Sequence, residues 1–131
     1  MEESIFTKIV KGDIPSYEIY EDDDIFAFLD IYPAQPGHTL VVTKQQLDRF
    51  EELPDELYQK LMAVVKKLAK HLHQMLKVER ITMKVEGFDV HHVHIHLIPC
   101  NEARDFWVQP NRFVEPDHEA LKAMAERLRL V

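Results

Sequence analysis

"HHVHIHLIP", residues 91–99, carries four of the chain's eight histidines in its first six positions. His92, His94 and His96 stand at i, i+2, i+4, interleaved with Val93 and Ile95 and followed by Leu97 and Ile98. In an extended chain this spacing puts three imidazoles on one face and Val93, Ile95 and Leu97 on the other. The apolar parity predicts a strand with one side in the core. It leaves the histidine side to be explained. A solvated face would use Thr, Lys or Glu as readily. A metal site is limited by reach: at about 3.3 Å rise per residue, His92 and His96 lie about 13 Å apart at Cα. A Zn–N bond is about 2.1 Å long, so one ion would need two of the three rings and a further ligand such as His38. In a third reading the rings track an extended anionic group. A neutral imidazole is a good nucleophile towards phosphorus, and a neighbouring ring can hydrogen-bond a non-bridging oxygen or protonate a leaving group. Crowded rings also discourage one another from charging.

The rest of the chain sets the frame. Its 131 residues suit one domain, 1–131, with enough chain for a single core. The composition, 46% hydrophobic and 30% charged, is that of a globular protein. A net charge of -7 argues against a nucleic-acid backbone or an anionic membrane as the main partner, while leaving room for a small anion at a local site. The single cysteine, Cys100, gives no internal disulfide, and a reducing compartment fits. "MEESIFTKIV" at the start lacks the apolar core of a signal peptide, and no run approaches the roughly 18 residues of a membrane span. The expected location is cytoplasmic.

Hydrophobic periodicity predicts a short helix in "SIFTKIVKG", ended by Gly12. It predicts strands over 17–21 and 25–31 around an acidic turn, Asp22-Asp23-Asp24, and a third strand over 39–43 after the loop "PAQPGH". Residues 53–77 predict a long helix with Leu57, Leu61, Val64, Val65, Leu68, Leu72, Met75 and Leu76 in one stripe. Strands follow over 80–85 and 92–99, and a closing helix over 115–130. The expected class is α+β: five mostly antiparallel strands with the helices to one side. His71 and His73, about 200° apart on a helix, both read as solvent-side, and His118 as a surface residue. Cys100 reads as a structural residue.

The residues then match a family. "HVHIHLI" resembles the His-φ-His-φ-His-φ-φ signature of the histidine triad (HIT) superfamily, φ being apolar. "SIFTKIVKGDIP" (4–15), "YEDDDIFAFLDIYP" (20–33) and "PGHTLVV" (36–42) resemble the N-terminal blocks of its Hint-like branch, in order and at similar spacing. The likeness covers about 4–100, and fades over the C-terminal segment 101–131. It implies the HIT-like fold, a homodimer joined through the long helix and the 80–85 strand, and nucleotidyl transfer to water without a cofactor. Carried over, His94 attacks the α-phosphorus of a purine nucleoside monophosphate derivative, such as a phosphoramidate, to form a nucleotidyl-histidine. His96 contacts the phosphate and assists the leaving group. His92 orients the site, with His38 behind it as a relay. Asp30 accepts from the ribose hydroxyls, while Phe6, Ile9, Ile14, Phe28, Leu29 and Ile31 line the nucleoside cleft. Asp89 takes a position beside the phosphate.

The chain also departs from that pattern. Before the triad the branch often has Gly-Gln and then a small or acidic residue; here Gly87 is followed by Phe88 and Asp89. A carboxylate beside a phosphate repels it unless turned away. The turn is short, so Glu86 lies nearest to an Asn that often contacts the phosphate. Trp107 of "DFWVQPNRF" either reaches a partner's site or packs the last helix onto the domain. Three functions remain in play: a nucleotide hydrolase, a nucleotide-binding module with weak or lost catalysis, and a metalloprotein using His38 with two triad histidines.

Overall fold

The computed structural model describes residues 2–130. Their sheet has five strands, β1 (Glu18–Glu21), β2 (Ile25–Leu29), β3 (Thr39–Thr43), β4 (Arg80–Val85) and β5 (His94–Cys100), in the order β1-β2-β3-β5-β4. Every pairing is antiparallel. The helices are α1 (Ile5–Val10), α2 (Asp55–Leu76), a one-turn α3 (Ala103–Phe106) and α4 (His118–Leu128). The expected α+β architecture is therefore present. β3 and β4 keep the expected limits, β1, β2, α2 and α4 are shorter than expected, β5 runs 94–100 rather than 92–99, and α3 was not expected.

Local chemistry sets the ends. Ser4 caps α1, its hydroxyl accepting from the Thr7 amide at 3.0 Å, and Gly12 follows at φ 84°. Asp22 closes the β1–β2 hairpin by accepting from the Asp24 and Ile25 amides, both at 2.8 Å. This is the standard use of Asp in a turn. Asp55 and Glu56 sit in the first turn of α2 and complement its dipole.

The core lies on one face of the sheet. Leu61, Val64, Val65, Leu68 and Leu72 of α2, with Leu121, Ala125 and Leu128 of α4, pack on Ile25, Ala27, Val41, Ile95 and Leu97. The predicted α2 stripe holds, with Leu57, Met75 and Leu76 half-buried at its margins. His71 differs from expectation. It faces α4, and its Nε2 donates to the Leu128 carbonyl at 2.8 Å. His73 is exposed, as is His118.

The other face is covered too, so the helices are not all to one side. Phe6 of α1 seals Phe26, Phe28, Leu40 and Val42. In register with these, Val42 faces His94 and Leu40 faces His96. All seven residues of β5 are buried. The histidine face is thus a second interior, where each ring needs a hydrogen-bond partner to offset its desolvation.

Candidate active site

His92 precedes β5, and its ring is held at both nitrogens. Nε2 lies 2.7 Å from the Thr43 carbonyl, which can only accept, so Nε2 carries the proton. Nδ1 of the neutral ring therefore accepts from the Ser4 hydroxyl at 2.6 Å. Burial pushes the His92 ring below its ordinary pKa, opposed by the Thr43 bond. His92 pins α1 to the sheet and offers no free nitrogen. Its carbonyl does the orienting: it accepts from Nδ1 of His94 at 2.7 Å. The proton on Nδ1 leaves the lone pair of His94 on Nε2. Phe6 packs edge-on to the His94 ring at 4.8 Å, and the His96 ring centroid lies 5.0 Å from it.

His38 and His96 form a second chain of protons. The Ala34 amide donates to His38 Nδ1 at 3.0 Å. A backbone amide cannot reverse that role, so His38 Nε2 is the protonated nitrogen. It donates to His96 Nδ1 at 2.9 Å. His96 must then carry its own proton on Nε2. That buried atom has no hydrogen-bond partner among the described residues. An unpaired buried donor costs about 1–3 kcal/mol, and here it stands beside the His94 ring, ready for an acceptor that arrives with a ligand. Burial pushes His38 down to about 4, against the pull of Asp30. Burial, and after it His38, His94, Lys84 and Arg112, push His96 down to about 3. Both rings are neutral at physiological pH. His38 thus acts on His96 rather than standing behind His92 as expected.

The loop of residues 30–38 builds this wiring. Asp30 N–H donates to the His38 carbonyl, and the Asp30 carboxylate accepts from the Tyr32 amide at 2.9 Å. Its other oxygen lies 3.7 Å from His38 Nε2. Gly37, at φ 90°, makes the bend; a Cβ there would sit 2.6 Å from Leu76 Cδ1. Beyond His96 opens a cavity of about 140 Å³, lined by Asp30, His38, His96, Lys84, Trp107 and Arg112 among others.

The other residues expected in a nucleoside cleft fall in different places. Phe6 and Phe28 are buried and pack edge-on to each other at 5.6 Å, Phe6 also against the His94 ring. Leu29 faces the α2–α4 core because it has the opposite strand parity to Phe28. Ile9 and Ile14 are half-buried, and Ile31 is 39% exposed next to a hollow against α4. Asp89 is exposed and turned to Arg112, 3.3 Å away, which answers the repulsion raised by its sequence position. Trp107 lines the cavity of its own chain, and the Gln35 side chain ties its segment down by donating to the Asp105 carbonyl at 3.0 Å. Sequence reasoning missed Ser4, Lys84 and Arg112. The cap signal at Ser4 was visible, but its second partner lies 88 residues away.

Among the described residues, two groups of side chains have metal-ligand spacing: Asp30, His38 and His96, and Glu86, His94 and His96. His96 belongs to both. Its Nδ1 lone pair is engaged by His38 and its Nε2 carries a proton, so ligation would have to reverse a tautomer chain anchored on the Ala34 amide. The donor set therefore fits a metal poorly.

A family model, described as the HIT domain, matches residues 11–103. The chain belongs to the HIT family. A HIT-like protein of Methanocaldococcus jannaschii is 41% identical over 102 residues, covering 75% of this chain and 79% of its own. The adenosine 5′-monophosphoramidase of Schizosaccharomyces pombe is 37% identical over 127 residues, covering 95% and 94%. The crystal structure of a Hit-like protein involved in cell-cycle regulation from Bartonella henselae superposes with a TM-score of 0.83 at 31% identity, covering 97% and 95%. The HIT likeness thus extends past the triad to the C-terminal segment. Among the described residues no helix is long and apolar enough to cross a membrane.

Proposed function

We propose that this HIT protein is a nucleotide hydrolase that cleaves nucleoside phosphoramidates or related nucleotidyl bonds, with a purine nucleoside, by way of a nucleotidyl-His94 intermediate. One observation carries the reading: the two adjacent rings are wired in opposite senses. The lone pair of His94 is on Nε2, and the N–H of His96 Nε2 is unpartnered and buried. The name of the Schizosaccharomyces pombe relative supports the substrate class.

In the first step His94 Nε2 forms a bond to the α-phosphorus as the bond to the leaving group breaks. When the substrate is a phosphoramidate already protonated by solvent on its bridging nitrogen, the P–N bond breaks and the leaving group departs as the neutral amine. Water then attacks phosphorus, the P–Nε2 bond breaks, and the proton of water passes to solvent. His96 donates its Nε2–H to a phosphate oxygen throughout. A neutral imidazole is far too weak an acid to surrender that proton, so its part is to stabilise charge rather than to protonate the leaving group. Asp30 accepts from the ribose hydroxyls at the cavity's other end. Phe6 and Phe28 act from behind, fixing the His94 ring, and Ile9, Ile14 and Ile31 supply apolar surface near the sugar and base.

A second reading, nucleotide binding with weak turnover, has one observation in its favour. A Glu86 carboxylate oxygen lies within 4.8 Å of a nitrogen of both His94 and His96, where it opposes an incoming phosphate. The same proposal has two copies associating along β4, the edge strand, and α2, burying Met83, Val85 and Tyr58, which are 40–50% exposed in the single chain. The cytoplasm is its expected site of action. The test is turnover of a fluorogenic adenosine phosphoramidate in EDTA by wild type and by His94→Ala. Metal-independent turnover lost in the variant is expected; binding without turnover by the wild type favours the second reading.

A further inference from the structure

The cavity beyond His96 is lined by two cations, Lys84 and Arg112, against one carboxylate, Asp30. Read across the sheet, Asp30 follows β2, His38 precedes β3, His96 lies on β5 and Lys84 on β4. Lys84 pairs with His96 in register and so lies on the same face. Arg112 enters the cavity from the C-terminal segment, beside Trp107 and Gln109. The row runs from a carboxylate, through two neutral rings, to two cations.

The charges facing this end can be named. Asp30 lies at the far end of the row and accepts from the Tyr32 amide. Asp89 holds Arg112 from outside at 3.3 Å, with both side chains more than half exposed, and does not line the cavity. Glu86 stands beside His94 and His96 but is also outside the lining. Lys84 makes no ion pair among the described residues. In a protein of net charge -7, two cations converging on one small cavity are a local reversal of sign.

We infer that Lys84 and Arg112, with Trp107 beside them in the lining, form a subsite for a leaving group that carries negative charge of its own, a carboxylate or a phosphate. The inference rests on the nucleotidyl-transfer reading above. With the ribose at Asp30 and the transferred phosphate at His94 and His96, the group that departs points to the β4 side, away from the nucleoside. His96 is wired as a neutral donor, so a leaving group that needs no proton suits this site. When the bridging atom is an anhydride oxygen, His94 Nε2 takes up phosphorus, the P–O bond breaks, and the electron pair stays on the departing oxygen beside Lys84 and Arg112. No proton has to be found.

Trp107 is the chain's one tryptophan, so its fluorescence reports on this cavity directly. The probes are two adenosine phosphoramidates that differ in one charge, made from β-alanine and from β-alaninamide. Each is titrated into His94→Ala, following Trp107 emission. The carboxylate ligand should bind at least tenfold more tightly at low salt. The ratio should shrink as salt rises and fall to about twofold in the same protein carrying Lys84→Gln and Arg112→Gln, both exposed positions. No discrimination by the parent overturns the inference. So does equal weakening of both ligands in the double variant, which would assign the cations to the transferred phosphate. Turnover of the β-alaninamide ligand by the wild type is scored separately: its failure removes the hydrolase reading, while the binding ratio still decides the subsite.

Discussion

His38 Nε2 donates to His96 Nδ1 across 2.9 Å, and that bond decides that the proton of the neutral His96 ring sits on Nε2. Replacing His38 by Ala removes the bond and frees His96 to adopt either tautomer. A fall in kcat of about 10–100-fold is expected, as for the loss of other buried partners that orient a reacting group. His38→Gln keeps an N–H donor at a similar reach and should recover part of it. Nitrogen-15 NMR of the imidazoles separates this from a folding defect: His96 should show a protonated Nε2 in the wild type and mixed tautomers in His38→Ala. Retention of a single tautomer in that variant contradicts the relay.

His94→Ala removes the nucleophile and should lower kcat by about 10⁴-fold or more, by analogy with loss of a nucleophile elsewhere. Nucleotide binding should survive, because Asp30 and His96 are untouched. In the wild type, rapid quenching followed by mass spectrometry should find a nucleotidyl adduct on the peptide containing residues 91–99. An adduct on any other residue is incompatible with the mechanism.

Ser4 does two jobs with one hydroxyl. It accepts from the Thr7 amide and donates to His92 Nδ1. Ser4→Ala therefore loses an N-cap, about 1 kcal/mol, and leaves His92 Nδ1 with only the longer Thr7 hydroxyl contact at 3.4 Å, a further cost of about 1–3 kcal/mol. Urea unfolding should show a loss of about 2–4 kcal/mol. Ser4→Thr, which keeps the hydroxyl, should lose much less. Equal losses in the two variants mean that the hydroxyl is not the cause.

Folding holds three histidines below their ordinary pKa: His38 at about 4, His96 at about 3, and His92 lowered in direction. The unfolded rings take up protons near pH 6.5 while the folded ones do not, so the unfolded state binds more protons as pH falls. Stability should be flat above about pH 7 and drop between there and about pH 4, by roughly 1.4 kcal/mol per unit for each of His38 and His96, with a further loss of the same sign from His92. Below the folded pKa values, the loss from these rings levels off. Unfolding midpoints from pH 7.5 to 4.5 test this, and His92→Asn should flatten the slope. A midpoint that does not move over that range refutes it.

The histidine spacing alone carried much of this molecule. Short β-branched and apolar runs fix β3 and β4 at their observed limits, the leucine stripe fixes α2, and four ordered blocks mark the HIT family, because strand propensity, helix period and turn residues act over a few neighbours. The same locality explains what was hidden. Three imidazoles at i, i+2, i+4 share one face in any strand. Nothing in the spacing says that α1 closes over that face, that His92 turns to Ser4 and Thr43, or that His38 engages His96 across 58 residues. No signal in the sequence singles out Lys84 or Arg112, and Trp107 reads either as reaching a partner's site or as packing the last helix. Tertiary packing brought them to one cavity, and burial made each proton's location matter. A tautomer is settled by the partner at the other nitrogen, and that partner is chosen only when distant segments meet.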